Sequence, residues 1–249
     1  MKIALIGYGK MGHEVEQLAV RKGHTIAARV DPNLDAGVHW EISPDSLGPA
    51  EVCVEFTQPQ VVLENIRKIA VLNKPIVVGT TGWYEHLKEV ESIVLQAGIG
   101  LVYAPNFSLG ISLFYQIAEK ASELLSRFED YDVCGMETHH SRKVDSPSGT
   151  AKRLGEIVLQ KFPRKKRVVT ESLNRSITDD EFHLVSLRVG HFPGTHVLTF
   201  DSAADTIELT HSARSRAGFA LGVLLAAEWV VKQKGLYSFE QVLGEILKQ

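Results

Sequence analysis

The chain of 249 residues carries 27 basic and 30 acidic side chains, and its net charge of −3 argues against binding of nucleic acid or a membrane surface through bulk charge. Its hydrophobic content of 44% can fill a sizeable core in one large domain or two modest ones, which excludes a largely disordered chain. The two cysteines, Cys53 and Cys134, lie in apolar strand-like runs and predict buried, reduced thiols rather than a disulfide scaffold. There is no signal-peptide core and no run of about 18 to 20 apolar residues, so the cytoplasm is the expected compartment.

The first hundred residues alternate short apolar strands with helices. Strands are predicted at residues 2–6, 24–30, 51–56, 75–78 and 99–103, and helices at 10–21, 59–72 and 84–96. This alternation is typical of a parallel sheet with helices on both faces. We therefore predict a Rossmann-type, doubly wound α/β domain.

The first chemical signal is a glycine-rich loop between the first predicted strand and the first predicted helix. Its glycines allow a tight turn and a close approach of the backbone to a pyrophosphate, and the helix N-terminus offers free N–H groups. Asp31 ends the second predicted strand, where a carboxylate can accept a hydrogen bond from a ribose hydroxyl. The pattern predicts a dinucleotide site; it leaves open that the glycines form only a turn and that Asp31 only opens a loop. The loop consists of Gly7, Tyr8, Gly9, Lys10, Met11 and Gly12.

Two further loops follow later strands of the same predicted sheet. Ligands of open α/β sheets bind outside the carboxyl ends of the strands, so both loops can contact the cofactor. Both are also common turn sequences, which leaves a purely structural role open. The residues concerned are Gly79, Thr80, Thr81 and Gly82, and Ala104, Pro105, Asn106 and Phe107.

The character of the sequence changes after residue 107. One apolar helix is predicted at about 109–125, followed by longer strands of alternating polarity near 131–138, 183–190, 195–201 and 205–211. Such strands suit an open mixed sheet with one face in water. Helices at about 218–232 and 239–247 close the chain. The predicted domains are a dinucleotide-binding domain at 1–107, with 217–249 packing back on it, and a second α+β domain at 108–216 that binds substrate and carries oligomer contacts.

Charge is concentrated in the stretch THHSRKVDSPSGTA, residues 138–151. In a regular strand His139 and His140 would point to opposite faces, so distinct roles are expected. An imidazole is the usual general acid near neutral pH, and Lys143 adds a positive charge that suits a carboxylate, although so close a cation should disfavour protonated His139. The following Pro-Ser-Gly-Thr is typical of a capped helix N-terminus that can bind an anion. A capped surface turn would explain the capping residues but not the paired histidines.

In this order and spacing, the glycine loop, the turns at 79–82 and 104–108 and above all residues 137–151 resemble the dihydrodipicolinate reductase family, and residues 215–227 resemble its closing helix. The resemblance spans nearly the whole chain. It implies an enzyme that reduces a cyclic dicarboxylate imine with NADH or NADPH on the diaminopimelate route to lysine. It also implies a homotetramer built through the second domain.

The resemblance further implies roles for single residues. His139 would be the proton donor, Lys143 a second catalytic group and His140 a substrate contact. The cofactor would lie along residues 7–12 and Asp31, with residues 79–81 and 104–107 around its nicotinamide half. The residues that would hold a substrate carboxylate are Ser148, Gly149 and Thr150.

One departure from the family concerns the cofactor. Asp31 is followed by Pro32, where some relatives carry an arginine for the 2′-phosphate, so NADH is expected to serve at least as well as NADPH. Arg29 and Lys10 keep NADPH open.

Other functions remain open at this point. A non-catalytic dinucleotide sensor would need the glycine loop but not the histidines and lysine, and another dehydrogenase, acting on aspartate or an aldehyde, is a third reading. The basic run at 162–167 predicts a solvated loop or a substrate-attracting rim rather than a nucleic-acid site. His191 and His196 do not predict a zinc site, because the sequence offers no cysteine pair or third ligand near them.

Overall fold

The computed structural model describes residues 1–33 and 39–248. The chain forms two compact units, one made of residues 1–109 together with the C-terminal stretch from residue 216, the other of residues 110–215. None of the described helices is long and apolar enough to cross a membrane. The elements follow in the order β1 (Lys2–Ile6), α1 (Lys10–Arg21), β2 (Thr25–Val30), α2 (Pro44–Leu47), β3 (Val52–Glu55), α3 (Val62–Val71), β4 (Ile76–Val78), α4 (Leu87–Ala97), β5 (Gly100–Tyr103), α5 (Leu109–Leu125), β6 (Asp132–His139), α6 (Gly149–Lys161), β7 (Arg167–Val169), β8 (Glu181–Arg188), β9 (Thr195–Asp201), β10 (Thr206–Ser212), α7 (Ala217–Val230), β11 (Gly235–Ser238) and α8 (Phe239–Ile246).

The first unit is built on a six-stranded sheet in the order β11-β5-β4-β3-β1-β2, with every neighbouring pair parallel. Its strands are apolar on both sides because helices cover both faces. One core packs α1, α7 and α8 against the sheet, and the other packs α2, α3 and α4. The predicted doubly wound Rossmann-type sheet is confirmed, and β11 adds an edge strand that the sequence reading missed.

The second unit holds a five-stranded sheet in the order β10-β9-β6-β8-β7. The β6 pairing with β8 and the β7 pairing with β8 are parallel, whereas β9 runs antiparallel to β6 and β10, so the sheet is mixed as predicted. Side chains of α5 and α6 share a core with alternate residues of β6, β8 and β9. The other face of the sheet is not covered by these helices.

One expectation about burial was wrong and a second was wrong in part. Cys134 is exposed, because in the β6 alternation it falls on the uncovered face of the sheet. The basic run at 162–167 is only partly a solvated loop: Pro163, Lys166 and Arg167 are exposed, whereas Phe162 and Lys165 are buried and Lys165 pairs with Asp132. Arg164 in the same run donates to the backbone carbonyls of Ser126 and Phe128. These cations stabilise the end of α5 and the start of β6.

Candidate functional site

The glycine loop lies at the carboxyl end of β1. Gly7 has a φ of +87°, and a Cβ there would lie 2.2 Å from the carbonyl oxygen of Phe56, so only glycine fits. Gly9 caps α1 without a side-chain hydrogen bond, and a Cβ built on it would meet nothing within 4 Å. The backbone at Gly9 is therefore open to a ligand, and the first N–H groups of α1 have no side-chain cap, which is what a pyrophosphate site requires.

Asp31 lies over this loop. Its carboxylate accepts hydrogen bonds from the backbone N–H of Tyr8 at 2.9 Å and of Asn33 at 3.0 Å. Each carboxylate oxygen can accept a further bond, which leaves capacity for ribose hydroxyls. Asp31 borders a cavity of about 420 Å³ whose other lining residues include Gly7, Gly9, Trp40, Val61 and Lys68. The last three were missed from the sequence, since they carry no motif.

Arg29, which the sequence analysis left available for a 2′-phosphate, forms an ion pair with Glu16 instead. Its Nε donates to Glu16 at 2.8 Å, and its guanidinium lies 5.5 Å from the centre of the Tyr8 ring. The Tyr8 hydroxyl also donates to Glu16. Lys10 is exposed in the first turn of α1. Of the two candidate cations, Lys10 is thus the one not tied to Glu16.

A second cavity of about 240 Å³ adjoins the later strand ends of the same sheet. It brings together Met11 and Gly79 with the loop 104–107, and it adds three residues that sequence reasoning missed, Phe56, Arg216 and Phe219. The remaining predicted cofactor residues line neither cavity. Thr80 is buried and Thr81 exposed, and the others are Tyr8, Lys10 and Gly12.

Beneath these loops lies Glu55, a buried carboxyl group that sequence reasoning also missed. Burial raises the pKa of Glu55, and hydrogen bonds from Thr57 and Asn65 offset part of that rise. Glu55 therefore ties the start of α3 to the end of β3.

In the second unit, the alternation of β6 carries Glu137 and His139 to the helix-covered face. Glu137 is completely buried and accepts hydrogen bonds from the Ser148 N–H at 2.9 Å, the Ser186 hydroxyl at 2.8 Å and the Arg188 Nη2 at 3.0 Å. The Ser148 hydroxyl donates to the other carboxylate oxygen. Burial alone would raise the pKa of Glu137, but the hydrogen bonds from His196, Ser148 and Ser186 outweigh it and hold that pKa well below its usual range. Glu137 is therefore a buried carboxylate anion.

His139 sits directly beside this anion. Its Nδ1 is 3.3 Å from Oε2 of Glu137, and its ring meets that of His196 edge-on at 5.1 Å. Its Nε2 faces Gly194: a Cβ atom added to Gly194 would lie 2.9 Å from this nitrogen. Burial lowers the pKa of His139 to about 4, and the charges of Lys143 and Arg188 act in the same direction while Glu137 opposes them. His139 is thus neutral at pH 7, in the direction that the nearby lysine led us to expect.

The predicted helix N-terminus is present as α6. Ser148 caps it by accepting from the Ala151 N–H at 3.2 Å, and both Ser148 donors are directed at Glu137. Gly149 is exposed, and a Cβ there would meet nothing within 4 Å. Thr150 is half-buried. The Ser148 donors are thus engaged by Glu137, and the backbone N–H of Gly149 acts on the carboxylate of Asp145, so a carboxylate of the chain itself already lies at this helix terminus.

The loop between β6 and α6 carries the remaining predicted residues. Lys143 lies 2.7 Å from a carboxylate oxygen of Asp145, and this hydrogen bond lowers the pKa of Asp145. His140 is half-buried and comes directly after the end of β6. Arg188 donates to the Asp145 carbonyl at 2.6 Å, so it ties this loop to β8. An incoming carboxylate would compete with Asp145 for Lys143.

One ligand atom from each of Glu137, His139 and His196 lies within 4.8 Å of the others, a spacing that can suit a metal ion. The same carboxylate, however, is 3.0 Å from the Arg188 guanidinium and accepts from Ser148. A divalent cation would have to displace these donors and tolerate the arginine charge. The cluster is better suited to holding protons than a metal.

Sequence reasoning missed Glu137, Ser186, Arg188 and Gly194. Glu137 had a readable signal, because it stands two residues before His139 and so shares its strand face. The others had none. The places of Ser186 and Arg188 depend on the register that sets Glu137 opposite Ser186 and His139 opposite Arg188.

Comparison with known proteins gives matches over nearly the whole chain. The family model described as dihydrodipicolinate reductase, N-terminus, matches residues 1–107, and the one described as dihydrodipicolinate reductase, C-terminus, matches residues 110–243. A 4-hydroxy-tetrahydrodipicolinate reductase of Christiangramia forsetii is 33% identical over 248 residues and covers 100% of both chains. One of Geotalea uraniireducens is 34% identical over 268 residues, covering 98% of this chain and 99% of its own.

A solved structure is also similar. It is described as dipicolinate-bound dihydrodipicolinate reductase from Paenisporosarcina sp. TG-14 and has a TM-score of 0.78 at 25% sequence identity. The match covers 97% of this chain and 98% of that one.

Proposed function

Because the chain belongs to the dihydrodipicolinate reductase family, we propose roles for its residues in the reduction of a cyclic dicarboxylate imine. The protein is an NAD(P)H-dependent oxidoreductase with the 4-hydroxy-tetrahydrodipicolinate reductase activity that the resemblance implied, a step of diaminopimelate and lysine biosynthesis. The observation that carries this conclusion is the match to reductases of this name over the full length of the chain.

For the cofactor, we propose that the N–H groups of residues 9–12 bind the pyrophosphate and that Asp31 accepts from the adenosine ribose. The cavity lined by Met11, Gly79 and residues 104–107 would take the nicotinamide half. When bound, the reduced nicotinamide supplies the hydride. Arg29 is paired with Glu16, which supports NADH as at least an equal cofactor to NADPH.

For the substrate, we propose that one carboxylate binds Lys143 and the N-terminus of α6 at Gly149 and Thr150, with His140 as a further contact. Bound dipicolinate in the Paenisporosarcina reductase supports a ligand with two carboxylates. The Ser148 donors are engaged by Glu137, so in this chain we assign Ser148 to holding the helix terminus in place.

For the proton, we propose His139 as the donor. A neutral imidazole cannot deliver it, and its pKa of about 4 means that it must take up a proton after binding. A substrate dianion near the ring offsets the charges of Lys143 and Arg188 and so raises that pKa. Hydride from the nicotinamide and one proton together add the two hydrogens that the reduction requires.

The activity is tested by mixing the protein with NADH or NADPH and freshly generated 4-hydroxy-tetrahydrodipicolinate, and following loss of the reduced nicotinamide absorbance. Substrate-dependent oxidation is expected. Tight NADH binding without oxidation would instead identify a dinucleotide sensor. Oxidation with aspartate or an aldehyde but not with the cyclic dicarboxylate would identify another dehydrogenase.

We also propose that the uncovered face of the second sheet is covered by further copies of this chain in a closed assembly of four. On that face Met136 is 37% and Leu187 49% exposed, which is unusual for neighbouring strand positions of a monomer. Leu187→Glu should dissociate the assembly in sedimentation velocity, whereas Ile177→Glu, an exposed residue outside the sheet, should not. A monomeric wild type at micromolar concentration would refute the proposal.

The two free cysteines fit the reducing cytoplasm, which we propose as the compartment.

A further inference from the structure

We propose that Glu137 is a positioning residue for proton transfer: it holds the Nδ1 proton of His139, so that the proton exchanged with the substrate is carried on Nε2. This inference rests on the proposed role of His139. It adds a residue that acts through the histidine and does not itself meet the substrate.

The first support is the geometry of the pair. Oε2 of Glu137 is 3.3 Å from Nδ1 of His139, and that nitrogen is buried and has no hydrogen-bond partner among the residues that the structure describes. The contact is close but not aligned as a full hydrogen bond, so the attraction is mainly electrostatic. A buried imidazole beside a carboxylate is more stable with its proton on the nitrogen that faces the negative charge. The neutral ring should therefore be the Nδ1–H tautomer.

The second support is the way the carboxylate is held. The Ser148 N–H, the Ser186 hydroxyl and the Arg188 guanidinium all donate to Oε1, at 2.9, 2.8 and 3.0 Å. These bonds keep the anion in place and leave Oε2 for His139, His196 and the Ser148 hydroxyl. The Glu137 carboxylate thereby sets the tautomer of His139 and also anchors Ser148, the residue that precedes α6.

The third support is the charge around the ring. Among the charged and titratable groups that act on His139, Lys143, Arg188 and His196 all oppose its protonation. Glu137, the largest of the charge effects on this ring, favours it. Replacing this carboxylate by an amide of the same shape should leave a ring that is harder to protonate and free to adopt either tautomer.

A buried ion pair can also serve folding alone, so the test needs a control that loses a similar pair. Glu181 is such a group: it is 1% exposed, lies at the start of β8 in the same unit, and pairs with Arg167 at 2.9 Å and Arg175 at 2.6 Å. Glu137→Gln and Glu181→Gln thus make the same chemical change in comparable surroundings. Only the first removes a carboxylate beside His139.

The experiment measures three quantities for wild type and both variants: kcat and KM for the dicarboxylate, the Kd of NADH, and the tautomer of His139 by ¹⁵N-labelled histidine NMR, assigned with His139→Gln. For Glu137→Gln we expect kcat to fall about 10- to 100-fold, as for other partners that orient a functional histidine. The Kd of NADH should stay within about twofold, and the His139 signals should shift away from the Nδ1–H pattern. Glu181→Gln should lower Tm with kcat and the His139 tautomer unchanged.

Wild-type kcat in Glu137→Gln would overturn the proposal, as would equal losses of kcat in both variants. If Glu137→Gln does not fold, the wild-type spectrum decides, because His139 as the Nε2–H tautomer contradicts the inference and the Nδ1–H tautomer supports it. A wild type that never oxidises NADH with the dicarboxylate would refute the proposed function instead. The tautomer measurement is independent of that outcome.

Discussion

Gly194→Ala should damage catalysis through His139, although Gly194 lies in a loop with no recognised motif. Gly194 has a φ of +146°, an angle that residues with a side chain rarely adopt. Its carbonyl accepts from the Ala213 N–H at 2.9 Å, which holds this part of the loop to the chain after β10. The added methyl group cannot simply swing away from the ring beside it.

The size of the effect follows from two terms. Holding alanine at such a φ costs about 1–3 kcal/mol, which corresponds to a fall in Tm of roughly 2–12 °C. The new Cβ would lie 2.9 Å from Nε2 of His139, where ordinary contacts begin at 3.4 Å, so the ring must move by about half an ångström. Since a displacement of about 1 Å can cost about 10²-fold, we expect kcat to fall roughly tenfold.

Gly190→Ala is the matched control. Gly190 lies in the same loop and also has a positive φ, +48°, but a Cβ there would meet nothing within 4 Å. It should lose about 1–2 kcal/mol of stability and keep its kcat. Steady-state kinetics and thermal denaturation of both variants decide the matter. Wild-type kcat in Gly194→Ala, or equal losses of kcat in the two variants, would show that contact with His139 is not the cause.

Three further outcomes are expected. His139→Gln should lower kcat by about 10²- to 10⁴-fold with a much smaller effect on dicarboxylate binding, and near-normal turnover would remove His139 as the proton donor. Asp31→Ser should lower kcat/KM for NADH and raise it for NADPH, whereas equal changes with both cofactors would mean that Asp31 does not distinguish the riboses. The pKa of His139 falls from 6.5 to about 4 on folding, so its contribution to stability is present above pH 6.5 and is lost as the pH falls through 4. Wild-type Tm should therefore drop more steeply over this range than that of His139→Gln, and parallel curves would contradict the assigned pKa.

Local patterns in the sequence were enough for the architecture of the first unit. The alternation of apolar strands and amphipathic helices predicts a parallel sheet, because the helix between two strands carries the chain back so that the second strand runs in the same direction as the first. The glycine loop predicts its own turn, since Gly7 adopts a positive φ at the end of β1. The short edge strand β11 was missed because four residues carry too little periodicity to stand out.

The charged stretch before α6 shows where local reading ends. Its motif indicated His139, Lys143 and a helix N-terminus, and the β-alternation could have added Glu137. It could not show that both Ser148 donors are directed at Glu137, or that Lys143 lies against Asp145. Those choices depend on distances between side chains, and spacing along the chain does not determine them.

The sequence by itself determined the fold class, the family and the residue types available for chemistry, because strand and helix periodicity, turns and contiguous motifs are properties of neighbouring residues. Only the tertiary structure decided what surrounds His139. Strands β8 and β9, far along the chain from β6, bring Arg188, Ser186 and His196 to the same carboxylate through their register with it. The protonation of the histidine follows from burial and from the charges that this register assembles, and neither exists until the sheet has formed.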